Sequence, residues 1–238
     1  MEISVEGEKI GFTGIRNRGW NLYVPGILFG AHDFKRFNKL YVYVELPESR
    51  NRVFLRTATF LEVIGAPPSE ATPVYILVHD VAVKGPRSWD PPKGQVEYKE
   101  YEDIKDYHKT SNARLHALLR EGVRREVAEE SRIDIDEVKG LREIPNLVVA
   151  GKHEDLPAHF HYQYHIFEGK VDYKVYMKAK AKLDKLRANP HLTISMPKDI
   201  IEKDEMALWT PRDGLSMVME GDPQKIIKLY MKYKGYRI

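Results

Sequence analysis

Apolar and polar positions along this chain change period several times, and each change marks a different kind of element. Trp20 to Phe29, Leu40 to Leu46 and Val53 to Val63 are dense in aromatic and β-branched residues. Pro25-Gly26, Pro47 and Gly65-Ala66-Pro67-Pro68 punctuate them, which predicts three strands in the first third of the chain. Val74 to Val83 is nearly all apolar, as a strand buried on both faces would be. Lys84 to Gly94 reads as a loop and Tyr98 to Thr110 as a polar lead-in. From about Asn112 to Ser131 the period becomes helical, with Leu115, Leu118, Leu119, Val123 and Val127 on one stripe. Leu141 to Ala150 and Phe160 to Phe167 return to the strand pattern. Residues 170–187 form a basic helical stretch, Met206 to Thr210 a short strand, and Pro223 to Tyr233 a closing helix with Gly235 beyond its end. Strands on both sides of the central helix predict an α+β chain, an α/β/α sandwich, rather than a helical bundle.

One strand carries an unusual pattern. His159-Phe160-His161-Tyr162-Gln163-Tyr164-His165 puts Phe160, Tyr162 and Tyr164 on one face and His159, His161, Gln163 and His165 on the other. The polar face reads as solvated or as the polar wall of a substrate cleft, with the first reading favoured.

Composition narrows the function classes. The chain has 238 residues, 42% of them hydrophobic and 31% charged, enough for a sizeable core in a globular protein. It contains no run of about 18 apolar residues, so no membrane span is expected. Met1 to Glu6 lacks a basic n-region, so no secretory signal is expected either. With no cysteine, disulfides, Cys-zinc sites and thiol catalysis are excluded, which suits an intracellular, cytoplasmic protein. The net charge is only +3, so any preference for anions must come from local clusters. Residues 170–187 hold seven Lys or Arg against two Asp, beside Tyr173 and Tyr176. Lys225 to Arg237 adds Tyr230, Tyr233 and Tyr236. Such runs describe exposed helix faces, or a grip on a polyphosphate or RNA backbone.

The candidate chemistry lies at the end of the central helix. Glu126, Glu129 and Glu130 stand at i, i+3 and i+4 and so share one helical face. Spacing alone describes a solvated acidic face, neutralised by Arg120, Arg124 and Arg125, as well as it describes a site for a hard divalent cation. The context adds Trp89-Asp90-Pro91-Pro92-Lys93-Gly94-Gln95-Val96-Glu97 upstream and Arg125-Glu126-Val127-Ala128-Glu129-Glu130-Ser131-Arg132-Ile133 on the helix. Together these resemble the Nudix box, G-x5-E-x7-R-E-U-x-E-E-x-G-U. The P-K-G entry, Glu100 six residues after Gly94, and the R-E-U-x-E-E core all match. About seventeen extra residues separate Glu100 from Arg125, and Arg132 stands where the family has glycine.

The resemblance implies a Nudix fold, a mixed sheet between helices. The domain would span residues 51–238 after a strand-rich extension over 1–50, with insertions at about 101–117 and 170–190. It implies that Glu126, Glu129, Glu130 and the Gly94 carbonyl hold Mg2+ or Mn2+, with Arg125 orienting a glutamate. Water would attack a phosphorus of a pyrophosphate with a carboxylate as base; Glu168 and Glu205 are further candidates for that role. Lys93, Trp89, His161 and Glu205 are candidate substrate contacts. W-x-P-P-K-G-Q with a lengthened box is similar to decapping-type Nudix proteins of large DNA viruses, which implies capped RNA as substrate and partner. P-P-K-G-x-V-E is shared with diadenosine tetraphosphate hydrolases. A diphosphoinositol phosphate and an inactive binding module complete the alternatives.

Overall fold

The computed structural model describes residues 2–5, 8–11, 19–34, 39–67, 72–152, 156–194, 196 and 201–237. Met1, Glu6 and Pro68, named above, lie outside the described residues. The strands are β1 (Glu2–Val5), β2 (Glu8–Gly11), β3 (Leu28–Asp33), β4 (Leu40–Glu45), β5 (Arg52–Ile64), β6 (Tyr75–Asp80), β7 (Trp89–Asp90), β8 (Lys93–Gln95), β9 (Lys139–Gly151), β10 (Phe160–Asp172) and β11 (Lys203–Trp209). The α-helices are α1 (Tyr98–Ile104), α2 (Ser111–Ser131), α3 (Tyr173–Ala188) and α4 (Asp222–Tyr233). The class is α+β. β1 and β2 pair with each other, and the longer strands follow the order β11-β6-β5-β10-β9, with β3-β4 and the short β7 and β8 joined at β5 and β6. No helix among the described residues is long and apolar enough to cross a membrane.

The chain divides into two compact units. One comprises Met1–Thr57, Gly94–Val123 and Ile144–His165, and the other Ala58–Lys93, Arg124–Glu143 and Ile166–Ile238.

In the first unit, β3, β4 and the start of β5 form an antiparallel ladder, with Gly30 opposite Tyr43 and Tyr43 opposite Phe54. The predicted strand from Trp20 is not one: residues 20–27 run as an irregular segment through a turn at Pro25-Gly26, and the ladder begins at Leu28. Gly26 has φ +77°, a left-handed conformation that ends an extended run. The backbone upstream is satisfied by a side chain instead of a ladder. Gln163 Oε1 accepts from Trp20 N at 2.7 Å, and Gln163 Nε2 donates to Trp20 O at 3.2 Å. That segment also overturns the solvated-face reading of β10. Gln163 and His165 are each only 1% exposed, with Tyr23 packed edge-on against His165.

In the second unit, β11 pairs with β6, and β6 pairs with β5 through Tyr75 opposite Glu62. β6 ends at Asp80 rather than Val83, because Asp80 Oδ1 accepts from Ala82 N at 2.9 Å and turns the chain there. The stripe of α4 buries Ile226, Ile227, Tyr230 and Met231. Tyr230 stacks on Phe60 with ring centroids 3.7 Å apart, and Trp209 closes β11 fully buried, beside Tyr75. α3 buries Tyr176, Ala179 and Leu183 and leaves Lys174, Lys178, Lys182 and Lys185 exposed, an apolar stripe opposite a cationic one.

α2 runs unbroken for 21 residues and buries Leu115, Leu118, Leu119, Val123 and Val127 completely. The residues that separate Glu100 from Arg125 therefore finish α1 and lengthen α2 at its start, leaving its carboxylate end helical. The helix stops at Arg132, whose φ of +58° is the left-handed stop that glycine adopts without strain. Its guanidinium donates back to the Glu129 carbonyl at 2.6 Å, which offsets part of a cost of about 1 kcal/mol.

Candidate active site

The final turns of α2 bring Glu126, Glu129 and Glu130 onto one face, and all three lie in the second unit with the cations that meet them. Arg125 Nη2 pairs with Glu126 at 2.7 Å, and its Nη1 pairs with Glu129 at 2.9 Å. One planar guanidinium thus fixes two of the three carboxylates. The third is fixed from the loop: Lys93 N donates to Glu130 Oε2 at 2.8 Å.

Three residues that the sequence reading did not single out complete the site. Lys203 is 2% exposed, and its ammonium lies 2.9 Å from Asp80, 3.4 Å from Asp90 and 3.5 Å from Glu130. Asp90, fully buried on β7, also pairs with Lys93 Nζ at 2.7 Å. The strand was expected to begin at Met206, three residues too late to include this lysine. β11 is irregular between Lys203 and Glu205, where its register against β6 shifts. Such a bulge re-aims a side chain, and here Lys203 and Met206 both point inward. A run of polar residues before an apolar strand gives no sign of that. Asp80 and Asp90 were visible as single acids at the edges of apolar or aromatic segments, but only the fold joins them.

The electrostatics follow from three carboxylates facing two ammoniums in a buried space. Burial alone would lower the affinity of Lys203 for its proton, but Glu130 and Asp90 outweigh it and keep the ammonium charged. Burial would likewise raise Asp80, and Lys203 pulls it below its ordinary value instead. The surplus negative charge falls on Glu130, which burial pushes up to about 7, with Asp90 adding to the rise. Burial also raises Glu126 well above the usual carboxylate range, despite Arg125.

Among the described residues no three His, Cys, Asp or Glu side chains converge into a cage for an ion. Mg2+ does not need one, since it keeps several waters and takes one or two carboxylates together with substrate phosphates. Hard oxygen donors on one face, carrying more negative charge than their protein partners balance, fit such a cation.

The remaining candidates are placed as follows. Glu100, in the first unit, is 6% exposed and caps α1: its Oε2 accepts from Glu97 N at 2.8 Å in a reciprocal capping box. Glu97 is itself held by Lys39 at 2.7 Å and Lys99 at 2.9 Å. Gly94 lies at the middle of β8 in the same unit, and His161 is half-buried there against Trp20, ring centroids 4.7 Å apart. Burial, with Lys152 and His159 nearby, lowers the proton affinity of His161. In the second unit Trp89 rests on His79, whose Nδ1 lies 2.6 Å from Asp204. Glu205 is paired with Arg187 at 2.6 Å. Glu168 is bound by Arg142 at 2.7 Å, Tyr230 at 3.0 Å and Lys234 at 3.3 Å. Burial would raise Glu168, but these partners hold it below its ordinary value, which makes it a poor proton acceptor.

No protein-family model matches this chain, and no curated protein matches it. Among solved structures it is similar to the NUDIX domain of Shewanella oneidensis NrtR complexed with ADP ribose, at 12% identity, covering 79% of this chain and 93% of that one with a TM-score of 0.43. A mutT/nudix family protein from Listeria innocua is 14% identical over 76% of this chain and 94% of that one, with a TM-score of 0.43. A C. elegans Ap4A hydrolase binary complex is 12% identical over 77% of this chain and 98% of that one, with a TM-score of 0.41.

Proposed function

We propose that this chain is a Mg2+- or Mn2+-dependent pyrophosphohydrolase of the Nudix type, acting on a nucleoside diphosphate linked to a second moiety. The observation that carries the reading is the hydrogen bond from Lys93 N to Glu130, which joins the P-P-K-G entry to the R-E-V-A-E-E helix across 37 residues of sequence. A solvated acidic face would have no use for a loop amide and a buried lysine directed at its last carboxylate.

In this reading Glu126, Glu129 and Glu130 hold the cation. A divalent cation bound there would lower the pKa of a bound water and polarise phosphate oxygens. Arg125 keeps Glu126 and Glu129 at fixed rotamers, so no ordering is needed when substrate arrives. A carboxylate beside the bound water would take its proton, a role for which Glu205 stays a proposed candidate. Lys93, Trp89 and Glu205 remain proposed substrate contacts.

The proposed substrate is the 5′ cap of an RNA, yielding a nucleoside diphosphate and 5′-monophosphate RNA. Its support is the W-x-P-P-K-G-Q motif with the lengthened box, together with the exposed lysine face of α3. The test is a substrate panel with purified protein, comparing release of m7GDP from capped RNA with release of ATP from diadenosine tetraphosphate. Cleavage of capped RNA that depends on RNA length and falls steeply with salt supports decapping. Preference for diadenosine tetraphosphate, or for a diphosphoinositol phosphate, would replace it.

A further inference from the structure

Lys203 has no part in the motif, yet it stands where the carboxylates of the second unit meet. Its side chain is 2% exposed, and its ammonium faces Asp80, Asp90 and Glu130 within 3.5 Å. Removing an ammonium from water is costly, and a protein keeps one buried only where anions hold it. A divalent ion drawn to Glu130 would be attracted by the same negative charge. The lysine and the metal would therefore compete electrostatically for Glu130, although one is tethered and the other exchanges.

We propose that Lys203 is a built-in counter-cation, a positioning residue that lies against Oε1 of Glu130 and so limits how tightly the site binds divalent metal. The inference rests on the reading of Glu126, Glu129 and Glu130 as metal-holding residues. The protein gains a glutamate held in place before metal or substrate arrives. It would also keep a divalent ion exchangeable. The β-bulge that turns Lys203 inward is the backbone device that makes this possible.

The experiment is Mn2+ titration of metal-free protein without substrate, read by electron paramagnetic resonance of free Mn2+. Lys203→Met, which keeps volume and removes charge, is expected to bind Mn2+ more tightly, on the order of tenfold or more given charges this close in a buried space. Lys203→Arg, which keeps the charge, is expected to bind Mn2+ as the wild type does. If Lys203→Met does not fold, Lys203→Gln, which keeps a hydrogen-bond donor for the buried carboxylates and removes the charge, is expected to show the same tightening. A folded variant without the lysine that binds Mn2+ no more tightly than wild type overturns the proposal and leaves the hydrolase reading standing. Wild type and variants that all fail to bind Mn2+ overturn both.

Discussion

The amide of Lys93 reaches the carboxylate of Glu130 at 2.8 Å, tying a proline-rich turn to the penultimate residue of a 21-residue helix. A hydrogen bond to a charged, fully desolvated oxygen is among the stronger ones a protein makes. It fixes the rotamer of Glu130, while the Lys203 ammonium lies 3.5 Å from the other oxygen, Oε1. The site is thus organised from the chain's own loop, helix and strand.

Arg125 does for the other two glutamates what this amide does for Glu130. An ammonium cannot reproduce two directed contacts from one plane. Arg125→Lys is expected to fold, and to lose about 10- to 100-fold in activity or Mn2+ affinity, the usual effect of disturbing a group that orients a ligand. Equal activity in the two proteins would show that the pairs at 2.7 and 2.9 Å are incidental.

Glu130 makes metal-free stability depend on pH in a defined direction. Its folded-state value of about 7 lies above the ordinary 4.5, so the folded chain binds the proton more tightly than the unfolded chain does. The stability this contributes is complete below about pH 4.5 and is lost as pH rises through about 7. Glu130→Gln removes that loss. In EDTA the variant should match wild type near pH 4.5 and exceed it at pH 8 by on the order of 3 kcal/mol in urea unfolding. A difference that stays constant across this window, or shrinks with rising pH, would contradict the placement of Glu130.

Glu100, the first glutamate of the resembled motif, completes the capping box of α1. Glu100→Ala should cost about 0.5–2 kcal/mol of stability, as the loss of a cap does, with metal affinity unchanged. A loss of Mn2+ affinity in folded Glu100→Ala would return this residue to the site.

Close packing of glycines against aromatic rings supports the first unit. A Cβ at Gly151 would run into the ring of Tyr162, which is 6% exposed and lies beneath the Arg56 guanidinium, 4.3 Å from the ring centroid. The ring cannot move outward without breaking that stack. Gly151→Ala should therefore destabilise the fold by about 1–3 kcal/mol, measurable as a lower urea midpoint.

Much of the fold was legible from period alone. β4, β5, β9, α2 and α4 fall within a few residues of where the pattern puts them, because each buries a continuous stripe or face that propensity also favours. Trp20 to Phe29 failed because its aromatic content suggested a ladder, while its backbone found Gln163 instead. The histidine face of β10 failed for the same reason seen from the other side, since periodicity cannot tell which polar face a distant segment will cover. At the site, the helical glutamates and Arg125 were readable because they lie within six consecutive residues. Asp80, Asp90 and Lys203 were not, since their meeting depends on the pairing of β6, β7 and β11 and on a bulge.

Metal-dependent hydrolysis at the glutamate face that Lys93 and Lys203 hold is the proposal on which the other roles rest. It is tested most directly by measuring Mg2+- or Mn2+-dependent product release from the substrate panel by wild type and by Glu130→Gln, with circular dichroism confirming the fold of both. The wild type is expected to show turnover that EDTA abolishes, and Glu130→Gln a loss larger than the 10- to 100-fold typical of disturbing a group that only orients a ligand. Unchanged turnover in a folded Glu130→Gln protein would contradict it.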